Sequence, residues 1–142
     1  MNTMDVASST MARQIARAAS AFQGERTGHV PQSVTVVLSD DTLVITLHEA
    51  LSPAEKALAK SAAGAAQVQD FHRQLFANAS VSLREEIKRI TGVDVREATA
   101  DVEMTTGTVV QVFTTGTMVQ VFRLAHSVPA DAWSETVSES RS

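Results

Sequence analysis

No cysteine and no tyrosine occurs in the 142 residues, and the aromatic complement is five phenylalanines and one tryptophan. The missing cysteine excludes disulfides, a thiolate nucleophile and Cys-ligated zinc, a composition compatible with the cytoplasm. The scarcity of aromatics leaves Ala, Val and Leu to fill the interior. Basic residues are also few. Twelve Lys and Arg against sixteen Asp and Glu give a net charge of −4 and a pI near 5.5, the wrong sign for a general nucleic-acid footprint. No window approaches the about 20 apolar residues needed to cross a bilayer. The opening MNTMDVASSTMARQ has no apolar core of signal-peptide length. Neither direct membrane insertion nor nucleic-acid binding is therefore expected.

Catalytic motifs are missing too. There is no G-x-S-x-G elbow, and Gly24 and Gly28 do not make a phosphate-binding loop. The histidines His29, His48, His72 and His126 never stand three or four residues apart, so none forms a helical metal pair. No catalytic residue, metal ligand or cofactor is expected.

What is present is a globular composition, 44% hydrophobic with mean hydropathy near zero. It fits one domain over residues 1–126 followed by a polar, Ser-rich tail, 127–142, that carries Trp133. The most patterned stretch is a nine-residue unit written twice, Thr105–Phe113 and Thr114–Phe122, differing only where Val109 becomes Met118. Each copy joins a Thr-Thr-Gly-Thr turn signal to a β-branched run, the signature of strand and hairpin. A turn at Thr115-Gly116 sets Phe113 opposite Met118, Gln111 opposite Gln120 and Val109 opposite Phe122. It also sets Val112 opposite Val119 and Val110 opposite Val121. A turn at Thr106-Gly107 sets Met104 opposite Val109 and Val102 opposite Gln111. The result is a three-stranded meander over about 93–124. Ala98, Ala100, Val102, Met104, Phe113, Phe122 and Leu124 share its core face. Val110, Val112, Val119 and Val121 make an apolar patch on the other. Such a patch beside an open strand edge invites self-association, so a homodimer through this hairpin is expected.

Upstream, Met4, Met11, Ile15, Ala18, Ala19 and Phe22 recur at helical spacing and predict a helix over 5–23 stopped by Gly24. Two strands follow at 33–38 and 42–48. Ser52-Pro53-Ala54-Glu55 is a capping box with Pro at the first helical position. The helix it opens is expected to be interrupted near Gly64. It then presents Val68, Phe71, Leu75, Ala79, Leu83, Ile87 and Ile90 as its buried stripe. Asn78–Ser82 reads as a further break, Thr91-Gly92 as the end, and Arg96-Glu97 as a bulge in the following strand. The fold class is α+β: a mostly antiparallel sheet, one strand pair plus the meander, covered on one face by an N-terminal helix and one or two central helices.

Few polar residues stand out. The capping box accounts for Glu55 beside Lys56, and His72 is expected on the surface or rim of its helix. The Arg84-to-Arg89 charge cluster reads as a solvated face. A loop at Gly28–Pro31 with His29, together with the Glu55-Lys56 corner, is the candidate for ligand binding, with His29, Glu55 and Lys56 as its residues.

The order of these signals carries a resemblance. A Gly/Pro loop, a strand pair, Leu51-Ser52-Pro53-Ala54-Glu55-Lys56-Ala57-Leu58, a long helix with Val68 and Arg73, Thr91-Gly92-Val93 and Phe122-Arg123-Leu124 follow one another. Over residues 10 to 124 this resembles the MpsC-domain family, named for the C component of a sodium-translocating, membrane-potential-generating system. The loop departs from the family's Gly-x-Gly-Pro, and the closing strand, single in the family, is duplicated here. The resemblance implies a non-enzymatic, cytoplasmic accessory or regulatory protein of a membrane cation or inorganic-carbon system. It would act by protein–protein binding, with a membrane transporter as partner.

Overall fold

The computed structural model describes residues 3–103 and 107–114, with 124, 128 and 129; of 3–10 and of Thr114 it describes the backbone only. In order the elements are α1 (Thr3–Thr27), β1 (Ser33–Ser39), β2 (Thr42–His48), α2 (Pro53–Leu58), α3 (Ala62–Thr91), β3 (Glu97–Glu103) and β4 (Thr108–Thr114). Among the described residues four strands form one antiparallel sheet in the order β1-β2-β4-β3, and α1 and α3 pack against each other and on the sheet. This is the expected α+β class.

Alternation along the strands produces three rows on the helix-facing side. They are Leu38–Leu43–Phe113–Ala98, Val36–Ile45–Gln111–Ala100 and Val34–Leu47–Val109–Val102. Ile45 and Leu47 are wholly buried, each stabilising the fold by about 1.5–3 kcal/mol. Against these rows α1 sets Ile15, Ala19 and Phe22, and α3 sets Val68, Phe76, Leu83 and Ile87.

Both edges of β4 are occupied, by Leu43–Leu47 of β2 and by β3. Ladder partners for it across Thr115-Gly116 are thus replaced by β2, whose own alternation of buried Leu43, Ile45 and Leu47 matches it. The second copy of the repeat, with Met104, Met118, Val119, Gln120, Val121 and Phe122, lies outside the described residues, as does the tail with Trp133. Leu124 is exposed and outside any strand, not in the core.

The β3–β4 register also differs from expectation. Val102 pairs with Val109 and Ala100 with Gln111, a shift of two residues that leaves every side chain on its face. The reason is tertiary: Gly107 donates to Glu103 O (2.8 Å) while its own carbonyl accepts from Ala50 N (2.9 Å). That longer closure, tethered to the chain after β2, displaces the two-residue turn.

Helix boundaries moved for local reasons. Helix α1 runs through Gly24 and ends where Gly28, at φ 78°, takes the left-handed conformation and donates to Gly24 O (2.8 Å). The break between α2 and α3 precedes Gly64: Ser61 caps the new helix by accepting from Gly64 N (3.0 Å). A Cβ on Gly64 would sit 1.8 Å from the Leu58 carbonyl oxygen, so the close helix junction needs glycine there. No break occurs at Asn78–Ser82. Ser80 is buried in the stripe, and Ser82 Oγ donates back to the Ala79 carbonyl (3.1 Å), which accommodates serine inside a helix. Gly92 ends α3 as expected. The bulge at Arg96-Glu97 is absent, because β3 begins at Glu97.

The buried line of α3 is rotated from the expected one. Its members are Gly64, Val68, His72, Phe76, Ser80, Leu83, Ile87 and Ile90. Phe71 is exposed, and Leu75 and Ala79 are half-buried. Phe76 holds the central place, with ring centroids 6.3 Å from Phe22 and 5.9 Å from Phe113.

Candidate functional site

The capping box forms as its residue types require: Glu55 N donates to Ser52 Oγ (3.2 Å) and Ser52 N donates to Glu55 Oε1 (3.1 Å). The second carboxylate oxygen, Oε2, lies 2.6 Å from His72 Nε2. On its other side His72 Nδ1 is 3.4 Å from Gln23 Nε2. One polar chain therefore links α2, α3 and α1. His72, expected at the rim, is 5% exposed; rotation of α3 about Phe76 carries it inward. The missed members, His72 and Gln23, show a signal in hindsight: His72 stands four residues before Phe76 and four after Val68.

An ionised carboxylate can only accept, so His72 Nε2 carries a proton and donates it to Glu55 Oε2. Burial opposes ionisation of Glu55. It is outweighed by the Ser52 amide, by the bond to His72 and its charge, and by the Ser52 side chain. The carboxyl therefore lies below its ordinary 4.5. Above Glu55 opens a groove of about 390 Å³ lined by Thr27, Ser52, Gln67 and Val68, with exposed Leu58 and Phe71.

Next to this chain the other candidates converge on a residue not singled out from sequence, Glu49. His29 Nε2 lies 3.0 Å from the Glu49 carbonyl, and Lys56 Nζ pairs with the Glu49 carboxylate. The bond and charge of Lys56 hold the Glu49 carboxyl below its ordinary range, against slight desolvation. The Gly28–Pro31 loop and the Glu55-Lys56 corner are thus brought together, but Glu55 turns inward while Lys56 and His29 turn to Glu49. Among the described residues no group of three or more His, Asp or Glu is placed to hold a metal ion.

Gln111 lies in the middle row of the core face, 1% exposed, and its Oε1 has no hydrogen-bond partner. A cavity of about 10 Å³ lies between Gln111, Gln23 and His72, at the lower limit for one water. Val110 and Val112, half of the expected interaction patch, are half-buried on the opposite face, and Val119 and Val121 lie outside the described residues.

Comparison with known proteins gives a family match. The family model described as Na+-translocating membrane potential-generating system (MpsC) covers residues 7–117 of the chain. No curated protein and no solved structure matches.

Proposed function

The chain belongs to the MpsC family, and from that premise we propose that it is a non-enzymatic, cytoplasmic accessory protein of a membrane cation or inorganic-carbon translocating system. It acts by binding a membrane-embedded transporter rather than by crossing the bilayer. The family match carries this reading. Among the described residues no helix is long and apolar enough to cross a membrane. The polar side chains best placed for chemistry, Glu55, His72 and Lys56, hold one another or Glu49, an arrangement that fastens segments together.

Tagged protein expressed in its own host should retain a cation-translocating membrane protein after detergent extraction. A second reading, small-ligand binding or catalysis in the groove above Glu55, draws on that groove's volume of about 390 Å³. A saturable turnover abolished by His29→Ala or Glu55→Gln would replace the accessory role with that one.

We also propose a homodimer through the sheet face that carries Val110 and Val112. Light scattering should give twice the chain mass. A monomer mass for the intact chain removes the valine face from any self-contact.

A further inference from the structure

We propose that a second cleft, at the opposite end of the α1–α3 pair, is where a basic, apolar segment of the membrane partner docks. The inference rests on the accessory reading above and names the surface and the chemistry of the contact.

The cleft measures about 450 Å³, within the range of roughly 300–1,000 Å³ typical of binding clefts. Five elements and the α3–β3 connection build its walls, with Ile15, Val36, Leu43, Ile87, Val95 and Phe113 among them. Its mouth is apolar too: Leu38 is 70% exposed, Val93 59% and Met11 43%. Exposed apolar side chains gathered around a cavity mark an interaction site more often than the same residues scattered singly.

Charge identifies the occupant. Asp40, Asp41 and Asp94 line the cleft, and no lysine or arginine does so among the described residues. Among the described residues Lys88 Nζ reaches it from outside, 2.9 Å from Asp94. The cleft therefore favours an apolar group carried beside positive charge and repels nucleic acid and anionic lipid headgroups. Cytoplasmic segments of membrane proteins carry an excess of Lys and Arg next to apolar sequence, and an amphipathic helix laid into a groove is a recurrent docking mode. Both halves of that chemistry, apolar anchor and basic flank, find their complement here.

The test uses the full chain and a fluorescein-labelled synthetic peptide of about 16 residues, Leu and Phe on one helical face and Lys on the other. A matched peptide carries Glu for every Lys. Fluorescence anisotropy should show saturable binding of the Lys peptide alone, weakening as salt is raised. The triple substitution D40N/D41N/D94N should weaken it by roughly tenfold or more, and Leu38→Ser with Val93→Ser should do the same while thermal melting stays unchanged. Equal binding of the Glu peptide, or full binding by the triple variant, overturns the proposal. Saturation by decyltrimethylammonium without peptide binding assigns the cleft to a small amphiphile and overturns it as well. So does binding to phosphatidylglycerol vesicles that the triple substitution leaves unchanged. Capture of the translocating complex by the triple variant would sink this docking site and leave the accessory role standing.

Discussion

The two ends of the α1–α3 pair treat polar groups in opposite ways. At one end Ser52, Glu55, His72 and Gln23 bond to each other and join three helices. At the other, Asp40, Asp41 and Asp94 rim an apolar cleft whose mouth residues face solvent. A carboxylate that is partly buried must be paired, because an unmet charge in the interior is expensive. One at a rim stays hydrated, as Asp94 does in its exposed pair with Lys88. The polar end is therefore the poorer candidate for recognition although it holds the more chemically suggestive residues. The apolar end is the better one, with Leu38, Val93 and Met11 exposed around its cleft.

Stability measurements can break this contrast. The largest difference should come from the hydrophobic layer: Phe76→Ala, beneath the polar end, should destabilise the fold by about 3–5 kcal/mol. Leu38→Ala, at the mouth of the apolar cleft, should stay within about 0.5 kcal/mol. Equal losses in denaturant titration would make Leu38 a core residue and close the cleft. Next, His72→Leu removes the partner of a partly buried carboxylate and should lower stability by about 1–3 kcal/mol. Asp94→Asn at the other end should leave the melting temperature unchanged, since an exposed ion pair adds little. If His72→Leu were neutral, the polar chain would not be holding the helices.

A smaller effect sharpens the picture inside the polar end. Gln111→Met keeps the length of the side chain while removing an oxygen that has no partner, and should raise stability by about 1 kcal/mol. A loss instead would place a water in the adjoining cavity. The subtlest test is pH. The Glu55 carboxyl is depressed in the folded state below 4.5, so its contribution is present above that value and is lost as pH falls through the folded value. Glu55→Gln should flatten the acid limb of the stability profile. Parallel profiles for wild type and Glu55→Gln would remove Glu55 as the source.

Much of the local structure was legible because its causes are local. Ser52, Pro53 and Glu55 specify a helix start within four residues, and β2 declares itself through alternating Leu43, Ile45 and Leu47. His72 was misplaced because the stripe of α3 has two adjacent apolar lines, Phe71-Leu75-Ala79 and Val68-Phe76-Leu83. Periodicity cannot choose between them. Phe22 and Phe113, far apart in the chain, make that choice by enclosing Phe76. Glu49 gave no signal because its partners, His29 and Lys56, meet it only once the loop after α1 lies beside the turn after β2.

The sequence by itself determined the α+β class, the strands β1 and β2, the capped start of α2 and the family, because each follows from neighbouring residues or their order. The tertiary structure decided which edge of β4 is taken and by which strand, since every β-rich run offers the same backbone groups and only packing selects among them. It also decided that Glu55 turns inward to His72 while three aspartates remain around an apolar cleft. Burial and distance between remote segments, on which both outcomes depend, are properties of the folded chain and of no stretch within it.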